Sequence, residues 1–143
     1  FVDHAVPNCQ SNQLYKGIYD EQSKGVFNGK VMVRKDAQKT NAFQQNNNLL
    51  LTDDAVIDTK PQLEIFADDV ACSHGCTIGQ LDDEALFYMQ SRGIPLKEAK
   101  AFLMFAFAGD TLKNITIPEL KEQLINLVAC ELKVDLELNE VNL

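Results

Sequence analysis

The first half of the chain has the hydrophobic pattern of short strands, and no helical period is sustained in it. Between Gly25 and Thr77, short β-favouring pieces recur about every 15 to 18 residues, with Asp or Asn at the corners. This spacing predicts a β-solenoid with stacked coils, although an antiparallel sheet or small sandwich has a similar pattern. The recurring pieces are residues 36–40, 54–59 and 69–74, with further apolar pieces at 49–51 and 63–66.

The sequence before Gly25 contains no strong cap for such a solenoid. Pro7 and Asn8, with the Ser/Asn/Gln cluster that follows them, are typical of a loop. The run of asparagines at 46–48 fits either a turn or a stacked polar ladder. Because the chain opens on Phe1 in strand-like sequence, we expect a fragment of a longer protein. An uncapped solenoid end exposes unpaired strand edges, which favours a partner chain or a homodimer through that edge.

At Leu81 the pattern changes from strand to helix. We therefore predict two domains, a β domain over residues 1–80 and a helical domain over residues 81–143. Asp82 or Asp83 is a suitable cap for the first helix, and Arg92-Gly93 is a suitable stop.

The second predicted helix covers residues 96–108, with Pro95 at its opening and Gly109 at its end. Its segment 101–108 is apolar on every side, and a helix of that kind is buried all round. Three short helices enclose such a segment poorly. It is therefore either covered by its neighbours or partly used as a docking surface for another protein.

The third helix is predicted to begin at Thr116 and Glu119, which have the spacing of a capping box. Its apolar residues recur periodically up to Leu132. The tail from Val134 alternates apolar and acidic residues and is predicted to be a frayed end.

Composition limits the functions that this chain can have. The formal net charge is -8, and lysines and arginines are scattered, which argues against binding to nucleic acid or anionic lipid. The longest apolar run, residues 101–108, is too short to span a bilayer. The four cysteines are spaced unlike a disulfide framework, so a reducing, cytoplasmic location is predicted.

The segment Cys72-Ser73-His74-Gly75-Cys76 contains the most suggestive chemistry of the chain. On a strand, residues 72, 74 and 76 share one face. Cys72 and His74 would have Cα atoms about 6.6 Å apart, close enough for both to reach one metal. Cys76 could join only if Gly75 bends the strand. Because stable structural sites usually have four ligands, we expect this pair to share a metal with a second chain.

Motifs of common enzyme classes are absent from the sequence, including a Walker glycine loop and a GxSxG elbow. The acidic pairs 68–69 and 82–83 fit a corner turn and a helix N-terminus. We therefore predict that the protein is not an enzyme. Two alternatives stay open, namely a stand-alone metal-binding or redox protein using Cys72 and His74, and a purely structural β-helix.

Several uncommon sequence words occur in a fixed order over residues 3–108, and together they resemble the SufB/SufD family of iron–sulfur cluster assembly proteins. They are GVFNGKV at 25–31, AQKT at 37–40, QQN at 44–46, LLL at 49–51, DTKPQLEI at 58–65, ADDV at 67–70, CSHG at 72–75, LFY at 86–88 and SRGI at 91–94. The resemblance implies a mainly β fold, a right-handed parallel β-helix followed by a small C-terminal α-helical domain.

The resemblance also implies a scaffold role in the SUF system. It implies pairing with a SufB-like paralogue and docking of a SufC-like ATPase on the helical domain. No cofactor would be stably bound, and iron or an iron–sulfur cluster would be held transiently at the interface with the paralogue. The residues expected to dock the ATPase are Leu86, Phe87, Phe102, Met104 and Phe105.

Within this family the sequence is more similar to the SufD branch than to the SufB branch. SufB-type members have cysteine at the position of Ala55 and glutamate at that of Gly75. His74 matches a family histidine implicated at the SufB–SufD interface, and Cys72 matches a cysteine common in SufD-like members. Cys76 departs from the usual alanine, so the resemblance implies no role for it.

Overall fold

The computed structural model describes residues 1–132, and the predicted frayed tail from Val134 lies outside them. The chain divides into two compact units, residues 1–80 and a second that begins at Leu81. The strands of the first unit are β1 Val2–His4, β2 Gln10–Tyr19, β3 Lys24–Val33, β4 Asn41–Leu50, β5 Val56–Ile65 and β6 Ala71–Gly79. The helices of the second are α1 Asp83–Ser91, α2 Leu96–Leu112 and α3 Pro118–Glu131.

The strands form two parallel three-stranded sheets, in the orders β1-β3-β5 and β2-β4-β6. The chain alternates between the sheets, so each strand pairs with the strand two steps later. Gln10 is opposite Asn41 in one sheet, and Lys24 is opposite Val56 in the other. The predicted mainly β fold with separate helices is therefore confirmed, and the antiparallel alternative is wrong. The two sheets are separate rather than one closed surface.

The predicted strand piece at residues 36–40 is a turn. Ala37 N–H donates to the carbonyl of Arg34, and Lys39 has a positive φ of 59°. The hydroxyl of Thr40 closes the corner by donating to the carbonyl of Ala37 at 2.8 Å. The recurrence of β-favouring pieces predicts a strand here, but the regularity comes from a repeated corner, at which Ala37 and Thr40 are fully buried. Here burial marks an inward corner between β3 and β4.

The polar cluster after Pro7 is strand rather than the predicted loop. Ser11, Asn12 and Gln13 lie in β2, where they are paired in parallel with β4. Ser11 Oγ is hydrogen-bonded to His4 Nε2 at 2.9 Å, so that polar side chain is satisfied inside the unit. Tertiary pairing overrides the weak strand propensity of these residues.

The asparagine run 46–48 lies within β4 and not in a turn. Asn46 and Asn48 are buried, and Asn48 Nδ2 donates to Asn46 Oδ1 at 2.8 Å. Thr59 of β5 donates to the same Asn46 oxygen at 2.7 Å. The interior between the sheets is therefore polar at this level, and its amides are mutually satisfied.

The apolar core lies at the other end of the same interior. It consists of Val31, Val33, Ala37, Ala42 and Ala67, with Val2, Leu63, Val70 and Cys72 packed against it. Burying one valine side chain contributes about 1.5 to 3 kcal/mol. Small residues dominate, which lets the two sheets approach closely.

The first helix begins and ends where the sequence predicts. The Asp82 carboxylate accepts hydrogen bonds from the N–H groups of Glu84 and Ala85. Such a cap contributes about 1 kcal/mol. At the other end Gly93 has a φ of 86°, a conformation that glycine adopts at low cost.

The second and third helices differ from their predicted bounds. Gly109 lies inside α2, which continues to the buried Leu112, so glycine did not end it. An interior glycine costs only about 1 kcal/mol, which burial of a leucine offsets. The capping box at Thr116 and Glu119 is also wrong, because α3 begins at Pro118 with no side-chain cap. No helix within residues 1–132 is long and apolar enough to cross a membrane.

The close approach of the sheets gives a test at Gly29. A Cβ there would lie 2.5 Å from Gln44 Oε1 and 2.7 Å from the Phe27 ring. We expect Gly29→Ala to lower the free energy of unfolding by about 1 to 3 kcal/mol, measured by denaturant titration. Gly79→Ala is the matched control, because a Cβ at Gly79 meets nothing within 4 Å. Equal stability of the two variants would contradict the close packing at Gly29.

The pair between Asp3 and Arg34 gives a test of pH dependence. Arg34 donates to both carboxylate oxygens, at 3.0 and 2.7 Å, and these hydrogen bonds lower the pKa of Asp3 below its ordinary 3.8. A lowered native pKa stabilises the fold above pH 3.8, and this contribution is lost as pH falls through the native value.

We expect Arg34→Met to return the Asp3 pKa to its ordinary range, measured by carboxyl NMR titration. Lys24→Met, which removes a different surface ion pair with Asp58, should leave the pKa of Asp3 unchanged. An unaltered Asp3 pKa in Arg34→Met would show that the pair does not form in solution.

Candidate functional site

The candidate residues Cys72, His74 and Cys76 lie on β6, the edge strand of its sheet. Parallel pairing places Cys72 beside Ala42, His74 beside Gln44, and Cys76 beside Asn46. Those three β4 residues are buried, so β6 continues the inward-facing rows of the sheet. The structure thus places the three predicted residues in successive inward rows of one strand.

These residues differ in exposure because β6 is covered on one side only. Cys72 is half-buried and packs against the apolar core. His74 and Cys76 are exposed, since within residues 1–132 β6 has a strand neighbour on the β4 side alone. An inward-facing histidine is therefore presented at an open sheet edge.

Within residues 1–132 the ligand set is incomplete for a metal held without a partner. Within the described residues no group of three or more His, Cys, Asp or Glu side chains could hold an ion. Cys72 and His74 supply a sulfur and a nitrogen, the donor types that suit iron, zinc or copper(I). Two such donors fit a shared site and do not fit a closed structural one.

An open depression of about 300 Å³ lies on the sheet next to His74. It is open at Gly75, where an added Cβ would meet nothing within 4 Å. Phe43 beside it is partly exposed. The lining residues are Asn12, Phe43, Gln44, Gln45, Ser73, His74 and Gly75. So shallow a surface suits contact with a macromolecule better than enclosure of a small substrate.

Gln44, next to His74, was not identified by sequence reasoning as a site residue. It is 2% exposed, and its Nε2 donates to Gln13 Oε1 at 2.7 Å. Within the described residues neither Gln44 Oε1 nor Gln13 Nε2 has a hydrogen-bond partner. The only sequence signal for Gln44 was the QQN motif at 44–46, which by itself does not indicate a functional role.

The residues expected to dock an ATPase differ in how much surface they present. Phe87 is 74% exposed and Phe102 is 41% exposed, whereas Leu86 is buried. Met104 and Phe105 are half-buried. Docking by this set stays a prediction, with Phe87 the most accessible member.

Tyr88 was missed beside Phe87. It is exposed, and the Arg92 guanidinium lies 4.9 Å from its ring centroid. Tyrosine and arginine are both enriched at protein interfaces. The sequence signal was the LFY word at 86–88, which contributed to the resemblance.

Comparison with known proteins identifies close relatives. The chain is 44% identical over 125 residues to iron–sulfur cluster assembly protein SufD of Escherichia coli (strain K12). It is 48% identical over 124 residues to the SufBD family protein slr0076 of Synechocystis, and 41% identical over 128 residues to protein ABCI7, chloroplastic, of Arabidopsis thaliana. These alignments cover 87%, 87% and 89% of the chain but only 30%, 27% and 26% of the relatives.

A family model adds to these pairwise similarities. The model described as the SUF system FeS cluster assembly, SufBD core domain, matches residues 1–107. That match includes β1 to β6, α1 and most of α2. Because it covers 107 of 143 residues, the chain belongs to the SufBD family of SUF-system iron–sulfur cluster assembly proteins.

Proposed function

We propose that this chain is part of a scaffold subunit for iron–sulfur cluster assembly, without enzymatic activity of its own. The observation that carries the proposal is the exposed, inward-row position of His74 on the edge strand β6. With Cys72 beside it, His74 offers half of a ligand set, and a partner chain supplies the rest. Iron or a nascent cluster is then the cargo of this site and not a resident cofactor.

The partner in this proposal is a SufB-like paralogue that pairs with the free edge of β6. An edge strand presents unpaired backbone N–H and C=O groups, which a second strand can extend into a continuous sheet. The alternating parallel sheets are, in this reading, the last coils of a right-handed β-helix in a longer cytoplasmic protein.

A two-ligand half-site suits a scaffold for a physical reason. A full four-ligand site holds its metal tightly, whereas two donors bind weakly until a second chain completes the set. Separation of the chains would then release the cargo. A SufC-like ATPase docked on the helical unit is the proposed source of that movement.

We expect His74→Ala to lower cluster formation by at least tenfold in the assembled complex, since even outer-shell changes typically cost 10- to 100-fold in metal affinity. The complex itself should persist on size-exclusion chromatography, because the exposed imidazole is not part of the core. Cluster formation is followed by iron–sulfur absorbance during reconstitution.

Ser73→Ala on the same strand is the matched control and should retain full cluster formation. Unchanged cluster formation in His74→Ala would refute the metal role of this residue. Stoichiometric iron binding by the isolated chain would favour a stand-alone metal protein instead. Full activity after replacing both Cys72 and His74 would favour a purely structural β-helix.

The helical unit gives a second test of the proposal. We expect Phe87→Glu to weaken ATPase binding roughly 10- to 100-fold, as for a buried aromatic anchor at an interface. Folding should be retained, because Phe87 is exposed. Val26→Glu on β3, also an exposed apolar residue, is the control. Equal affinities of the two variants in a titration with the ATPase would remove Phe87 from the docking surface.

A further inference from the structure

We propose that Gln44 is a positioning residue for His74, accepting a hydrogen bond from one ring nitrogen so that the other keeps its lone pair for metal. The hydrogen bond itself follows from the fold. Its use in metal binding rests on the function proposed above.

The three residues involved lie in one row across the sheet. Gln13 of β2 is in register with Gln44 of β4, and Gln44 is in register with His74 of β6. Neighbouring parallel strands are about 4.8 Å apart, so side chains in one row stack directly on each other. Stacked glutamines in such rows form hydrogen-bonded amide ladders.

This ladder has a direction. Gln44 Nε2 donates to Gln13 Oε1 at 2.7 Å, so the Gln44 amide points its N–H towards β2. The donor of the Gln44 amide is therefore used on the β2 side of the row. Gln44 Oε1 lies against Gly29 of the opposite sheet, and the next side chain of the row on the β6 side is that of His74.

Both ends of the ladder are open. Gln44 Oε1 and Gln13 Nε2 are buried, and neither has a hydrogen-bond partner within residues 1–132. A buried acceptor without a donor is unfavourable, and native proteins rarely leave one. The imidazole N–H of His74 is the side-chain donor that parallel register places on the open side of Gln44.

Local packing fixes the acceptor but leaves the donor adjustable. A Cβ added at Gly29 would lie 2.5 Å from Gln44 Oε1, so the amide is closely confined by the opposite sheet. His74, in contrast, is exposed on an edge strand, where its ring can rotate between rotamers. Rotation of His74 therefore completes the ladder without movement of Gln44.

The chemical consequence concerns the tautomer of His74. A neutral imidazole has one protonated nitrogen and one lone pair, and the hydrogen bond of the first decides where the second points. Metal-binding histidines usually donate their other N–H to a fixed acceptor, which orients the ring. In this chain Gln44 is that acceptor, and it is supported from behind by Gln13.

The test is NMR spectroscopy of the metal-free, ¹⁵N-labelled chain at a pH where His74 is neutral. We expect a ring N–H signal of His74 that exchanges slowly with water, and ring nitrogen shifts of a single tautomer. Gln44→Met keeps the side-chain length but removes the acceptor, and should accelerate that exchange at least tenfold. Absence of a protected ring N–H in the unaltered chain would overturn the proposal, whatever the variants do.

Two control variants separate positioning from general loosening of the sheet. Gln13→Met removes the same amide hydrogen bond but keeps Gln44 Oε1, and should retain the protected ring N–H. Gln45→Met makes the identical substitution one residue away, on the other face of β4, and should also retain it. Loss of the signal in either control, or its persistence in Gln44→Met, would contradict a specific role for Gln44.

The outcome is separable from the cluster-assembly proposal. A ring N–H that depends on Gln44, with cluster formation unaffected by His74→Ala, would keep the hydrogen bond and remove its metal role. If His74→Ala fails to form clusters but the His74 ring N–H does not depend on Gln44, the metal role of His74 would stand and its hydrogen bond with Gln44 would be refuted. If Gln44→Met fails to fold, Gln44→Glu is the alternative variant. It retains an acceptor oxygen at this position and should therefore keep the ring N–H of His74 protected.

Discussion

Parallel pairing between strands two steps apart along the chain is the constraint on which the rest of the structure depends. It places each inward residue directly beside the inward residue of the next strand, 31 residues later for Gln13 and Gln44. A shift by one residue would turn every inward side chain outwards. Because the rows are continuous across the sheet, the polarity of a row depends on all the strands that contribute to it. His74 lies in the same inward row as Gln13 and Gln44 because of this register.

The rows between the two sheets divide into an apolar end and an amide-rich middle. Valines and alanines fill the first, where the sheets pack closely. Gln44, Asn46 and Asn48 occupy the second. The Asn46 and Asn48 amides are hydrogen-bonded to each other, whereas within residues 1–132 Gln44 Oε1 has no partner, which is costly for a buried acceptor. Amide pairs between strands, such as Gln44 of β4 with Gln13 of β2, tie the register to hydrogen-bond geometry, which an apolar interior would not do.

Much of the fold was readable from the sequence, and the errors have physical causes. The strand recurrence, the change to helix at Leu81 and the caps of α1 depend on local pattern and were predicted. The polar residues 11–13 and 46–48 were not firmly assigned to strands, because parallel pairing with distant residues decides their conformation. The CSHG motif identifies His74 as a candidate from the sequence alone. Gln44 is recognised as its neighbour only from the register between β4 and β6, which no local sequence pattern contains.

The open edge of β6 explains why chemistry would be placed at this strand and not at an earlier one. In β4 the same row is buried and in β2 it is half-buried, so a ligand there would be more enclosed and slower to exchange. At β6 the row becomes accessible from one side while its other side stays fixed by the buried amides. A rigid support beneath an exposed donor gives a defined orientation without a closed site. Under the function proposed above, such a combination would bind cargo only when a second surface completes the ligand set, and would release it when that surface separates.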